Sequence, residues 1–166
     1  MNRPLLKIII VIALLVSTLF APAIGDAQAG KLPPFQMTLA NGKVFKAQDL
    51  PIGKPIVIIY FSPECDHCEK MTKELLKKEA SFKKASVAMI THLPVERVAK
   101  FVQQYGLSKY SNIFIGTEGN TFFVRKYYKI EQMPFIALHD KNGNIVKVYR
   151  KEGPLTDLVN QLNKLN

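Results

Sequence analysis

The sequence predicts one mixed α/β domain behind a short leader, and three observations carry that prediction. A continuous apolar, β-branched run, Ile56 to Phe61, stands in mid-chain, as strands buried on both faces of a sheet do. The chain's only two cysteines, Cys65 and Cys68, follow it at once, and a helical pattern follows them. Two pairs of short apolar runs, around Asn41-Gly42 and Asn142-Gly143, read as β-hairpins near the two ends of the domain.

The elements follow in order. Lys31 to Pro34 is an extended lead-in, and Phe35 to Leu39 pairs with Lys43 to Phe45. Ala47 to Leu50 makes one helical turn before Pro51. After the buried strand, the segment from Cys65 to about Ala80 is helical. Met71, Leu75, Leu76 and Glu79 lie on one mainly apolar stripe, with Glu69–Lys73 and Glu74–Lys78 as acid-first i,i+4 pairs. Ser86 to Thr91 is a second inner strand. Pro94 opens a helix with Val95, Val98, Ala99 and Val102 at helical spacing, and Gly106 ends it. Asn112 to Ile115 is a short strand. Thr117 to Tyr127 is ambiguous, with a short helix after Gly119 as one reading. Phe135 to His139 and Ile145 to Tyr149 form the second hairpin. Gly153-Pro154 then opens a last helix with Leu155, Leu158, Val159, Leu162 and Leu165 on its apolar face.

The first 29 residues stand apart. Arg3 and Lys7 precede an apolar stretch, Ile8 to Phe20, and Ala27-Gln28-Ala29 is a small-x-small cleavage pattern. This is the pattern of a secretory signal peptide, residues 1–29, cut to leave a domain of residues 30–166. The alternative is an uncleaved membrane anchor, for which the run is short. Export matters for the cysteines, because outside the cytoplasm a pair tends to be oxidised. The chain of 166 residues carries 23 Lys+Arg against 13 Asp+Glu, a net charge of +10. Cleavage removes Arg3, Lys7 and Asp26, leaving 21 against 12 and a charge of +9. Such a surface suits an anionic membrane or an acidic partner, or is simply soluble. The exported compartment argues against nucleic acid.

Cys65 and Cys68 carry the chemistry. A dithiol at a strand-to-helix turn passes between thiol and disulfide with little backbone motion. Cys65 sits at the start of the helix, where unpaired N–H groups and the dipole favour a thiolate, the attacking species. Cys68 lies one turn inside at i+3, so its sulfur can face that of Cys65 and resolve a mixed disulfide. His67 is a candidate cation that favours thiolate, while Asp66 and Glu64 pull the other way.

Other readings of the pair fit less well. Structural zinc wants four Cys or His ligands, and His67, His92 and His139 supply no second ligand pair. Covalent haem needs His after the second cysteine, where Glu69 stands. A structural disulfide across so short a loop constrains little. A copper-handling or purely binding domain with a static disulfide is the remaining alternative, since thiolates suit Cu(I). No cofactor is expected.

From Leu32 onward the chain resembles the exported thioredoxin-like family of the TlpA/ResA type. The likeness rests on Ile58-Ile59-Tyr60-Phe61-Ser62-Pro63-Glu64-Cys65-Asp66-His67-Cys68, on the approach Tyr128 to Pro134, and on Phe135 to Val146. It implies a three-layer α/β/α fold with a central mixed sheet, an N-terminal hairpin, and an insertion between the two halves at about Gly106 to Tyr128. It also implies a cis Met133–Pro134 peptide facing the dithiol, with the Met133 backbone pairing with the substrate strand. Protein thiols and disulfides would be the substrates, a membrane protein the electron donor, and the periplasm the compartment.

The chain departs from the family at several positions. Glu64 replaces a frequent Trp before the first cysteine. The places where relatives carry a buried acid hold Ile59 and Met71, leaving Glu64, Glu69 or water to take the proton of the resolving step. A peroxidase of the peroxiredoxin type would want Thr and Pro ahead of its cysteine. Ser62 is tolerable for the first, but Ile58 stands in place of the second.

Overall fold

The structure, a computed structural model, describes residues 30–151 and 155–165. The predicted leader, residues 1–29, and the predicted helix start at Gly153-Pro154 lie outside them. Seven strands form one mixed sheet in the order β2-β1-β5-β4-β3-β6-β7. They are β1 (Gln36–Leu39), β2 (Val44–Lys46), β3 (Ile56–Tyr60), β4 (Ser86–Thr91), β5 (Ile113–Thr117), β6 (Phe135–His139) and β7 (Ile145–Arg150). The helices are α1 (Asp66–Lys77), α2 (Glu79–Phe82), α3 (Val95–Gln104), α4 (Phe123–Tyr127) and α5 (Leu155–Leu165). This is a thioredoxin-like α/β/α arrangement, as the resemblance implied.

β3 lies in the middle because nothing in it tolerates water. All five of its residues are buried, and it pairs parallel to β4 and antiparallel to β6. Alternation along the strand splits the core in two. Val57, Ile59 and Phe61 face one side with Cys68, Leu75, Phe82, Val98, Phe101, Leu158 and Leu162, under α1, α2, α3 and α5. Ile56, Ile58 and Tyr60 face the other with Phe35, Met37, Val124, Tyr128 and Ile130, under the lead-in and α4. The Phe61 ring packs tilted by 47° against Phe101 with centroids 4.9 Å apart, which pins the end of β3 to α3.

Both hairpins form as the turn residues predict. Met37 pairs with Phe45 across the first, where Gly42 has φ 80°. β6 pairs with β7 across the second, where Gly143 has φ 76°. The ambiguous Thr117 to Tyr127 stretch resolves into the end of β5, a 3₁₀ turn (Gly119–Thr121) and α4. The predicted insertion therefore contributes a full strand. β5 runs parallel to β4 and antiparallel to β1, and so joins the N-terminal hairpin to the sheet. Gly116 permits that crossing, since a Cβ there would stand 2.7 Å from the Thr38 carbonyl oxygen.

Candidate redox site

The site begins where β3 ends. Ser62 shapes the turn: its hydroxyl accepts from the Glu64 N–H at 3.2 Å, and its carbonyl accepts from the Cys65 N–H at 3.2 Å. Cys65 then has extended backbone, φ −113° and ψ 117°, and is the N-cap of α1. Its sulfur accepts the Cys68 N–H at 3.4 Å, one of the donors a helix start leaves unpaired. Asp66 and Glu69 in the first turn and Lys77 in the last suit the helix dipole.

The two sulfurs differ in environment. Cys65 is half-buried and Cys68 fully buried, both as free thiols. Burial pushes the Cys68 thiol up to about 12, and the Cys65 sulfur beside it adds to the rise while the Ser62 backbone opposes it. Facing the pair is the cis Met133–Pro134 peptide. The Cys65 thiol points at the Met133 carbonyl oxygen, 3.9 Å away, and Pro134 is buried. Four sequence-predicted residues, Cys65, Cys68, Met133 and Pro134, therefore converge.

The other three lie at the edge. Asp66 and His67 are exposed on the first turn of α1. Glu64 turns toward α3, where Arg97 Nη1 lies 3.4 Å from its Oε1. Ile59 and Met71 are both buried in the apolar cluster that holds Cys68. Glu69 is engaged outside, accepting from the Tyr105 hydroxyl at 2.9 Å and facing Lys73 at 3.6 Å. The structure also holds a buried acid that sequence reasoning passed over. Glu118 follows β5, is 6% exposed, and accepts from the Tyr60 hydroxyl at 2.8 Å and the Val124 N–H at 2.7 Å. Tyr60 and Val124 belong to the cluster on the other sheet face from Cys68, so Glu118 joins elements there. Neither Arg97 nor Glu118 had a signal in the sequence, since each acquires its partner only when distant segments meet.

Among the described residues, no group of three or more His, Cys, Asp or Glu is placed to hold a metal ion. No helix among them is long and apolar enough to cross a membrane.

Fold and site together define a thioredoxin-like protein with a Cys-x-x-Cys pair at the start of its first long helix. The AhpC/TSA family profile matches residues 29–158, and the chain belongs to the AhpC/TSA family. Known structures share the architecture at low identity. The chain is similar to dsbF of Mycobacterium tuberculosis, solved in mixed oxidised and reduced forms, at 22% identity and TM-score 0.67, covering 80% of this chain and 96% of that one. It is also similar to a secreted M. tuberculosis disulfide oxidoreductase homologous to E. coli DsbE, at 19% identity and TM-score 0.66, covering 85% and 100%. Copper-bound ScoI of Arabidopsis thaliana shares the fold at 18% identity and TM-score 0.64, covering 82% and 96%. A search of curated proteins finds no match.

Proposed function

We propose that this chain is a thiol–disulfide oxidoreductase that reduces protein disulfides outside the cytoplasm. One observation carries the reading: the unequal placement of the two sulfurs, Cys65 reachable at a helix start and Cys68 buried beneath it.

In the proposed cycle the Cys65 thiolate attacks one sulfur of a substrate disulfide. A mixed disulfide forms, and the other substrate sulfur leaves as a thiolate and takes a proton. Cys68 then gives its proton to water and attacks the Cys65 sulfur. The Cys65–Cys68 disulfide forms, and the second substrate thiolate departs. Two electrons pass to the substrate. A high pKa keeps Cys68 protonated until the mixed disulfide, bound against it, becomes its target. The Met133 backbone, beside the attacking sulfur, holds the substrate strand, and Pro134 shapes that turn. Glu64, Asp66 and His67 set the charge around Cys65. A membrane protein resupplies the electrons, as the family likeness implies, and residues 1–29 act as the export signal.

Insulin reduction tests the reading. The dithiol form should precipitate insulin, and Cys65→Ser should abolish this. Cys68→Ser should trap a mixed disulfide at Cys65. A static pair that does neither belongs to a binding domain and rejects the proposal.

A further inference from the structure

Two residues near the site hold a backbone conformation that side chains disfavour. Phe122 has φ 48° and Lys129 φ 51°, both left-handed and neither glycine. They bracket α4, and other contacts fix them. The Arg150 guanidinium donates to the Lys129 and Tyr128 carbonyls at 3.3 Å each, and the Phe122 ring packs tilted by 36° against His92 with centroids 5.4 Å apart. Arg125 Nε donates to the Ile130 carbonyl at 3.3 Å, and the Arg125 carbonyl accepts the Ile130 N–H at 2.9 Å. The loop is therefore preformed.

Between these residues lies a groove of about 480 Å³, lined by Phe122, Arg125, Lys126, Lys129, Ile130 and Glu131. Its apolar part is the buried Ile130 and half-buried Phe122, while Lys126 and Lys129 are exposed. Arg125, Lys126 and Lys129 bring three cations to its lining against the one carboxylate of Glu131, with Lys126 Nζ also donating to the Thr121 carbonyl at 3.3 Å. Lys129 stands four residues before Met133, a reach of at most about 14 Å. A substrate strand pairing with the Met133 backbone advances about 3.3 Å per residue, so about four residues span that distance.

We infer that this groove selects substrates, binding acidic side chains that flank the target cysteine of a partner protein. The inference rests on the oxidoreductase reading above and adds the substrate's chemistry. Opposite charge should raise the encounter rate and orient the strand, and salt should screen both effects.

The test uses two disulfide-bonded peptides, identical except for Glu or Lys at positions two to four on both sides of the cysteine. Reduced wild-type protein should reduce the Glu peptide roughly tenfold faster at low salt, and the preference should largely vanish in 0.5 M salt. Lys126→Glu/Lys129→Glu should remove or invert it. The neutral pair Lys126→Gln/Lys129→Asn, with Asn suited to the left-handed position, should bring the two rates together. Reduction of 2-hydroxyethyl disulfide should be unchanged in both variants. If wild-type protein fails on that small disulfide, the oxidoreductase reading fails instead. Equal peptide rates in the wild type, or a preference that survives both variants, overturns the groove. So does binding to phosphatidylglycerol vesicles that needs Lys126 and Lys129 while peptide rates stay equal, since the groove then serves a lipid surface.

Discussion

Burial denies water to the Cys68 thiolate, and so its proton is held far more firmly than that of an ordinary cysteine. Three residues earlier, Cys65 has the end of a helix and partial access to solvent. The proposed chemistry of the pair lies in that contrast, and a charge effect on Cys65 is open to test. Glu64 precedes the attacking cysteine in the chain, and Arg97 partners its carboxylate from α3 at 3.4 Å. Both side chains are more than half exposed, so the effect is modest and salt-sensitive. Arg97→Ala should slow iodoacetamide alkylation of Cys65 at neutral pH by about two- to threefold at low salt. In a Glu64→Gln background the same change should do nothing, which separates charge from folding. An equal slowing in both backgrounds would show that Arg97 acts otherwise. Cys65 and Cys68 were legible in the sequence because their spacing is local, whereas the Met133-Pro134 turn was expected only from the family resemblance. Arg97 was not legible, because nothing in Val95-Glu96-Arg97 says which loop the helix will meet.

The elements that hold these residues were readable to different degrees. β3 announced itself by an unbroken apolar run, and both hairpins by Asn-Gly turns. The stretch after β5 did not, because a 3₁₀ turn and the left-handed Phe122 interrupt any single periodicity between Thr117 and Tyr127. What organises that stretch is Glu118, whose carboxylate ties β3 through Tyr60 to the first residues of α4 through Val124. Its burial could not be read from a lone glutamate beside glycine. Glu118→Ala should leave a buried hydroxyl and a buried N–H unpaired and cost about 2–4 kcal/mol in urea unfolding. A cost under about 0.5 kcal/mol, as for a surface site, would show that this link is not structural.

At the scale of the whole molecule, stability should depend on pH through His139. This histidine is fully buried at the end of β6, with Nε2 3.1 Å from the Tyr128 hydroxyl, and burial pushes its imidazole down to about 4. The unfolded chain takes up that proton below about pH 6.5, whereas the folded chain resists until about pH 4. The unfolded state thus binds more protons in that window, and stability falls as pH drops through it, by about 3 kcal/mol in total. His139→Asn should flatten this part of the urea-midpoint profile. An unchanged slope between pH 6.5 and 4 would assign the dependence to other groups. The two-faced core follows from the pattern of each strand, while the placement of His139 within it follows only from the pairing of β6 with β3. At every scale Cys65 and Cys68 should behave as one reversible two-electron couple. Equilibrating the protein in graded glutathione and dithiothreitol buffers, then counting alkylated thiols by mass spectrometry, measures it directly. Both sulfurs should convert together, with a midpoint near about −270 mV as for thioredoxin. A midpoint near about −120 mV would contradict the reductive direction, and a pair that stays in one state across every buffer would contradict the couple itself.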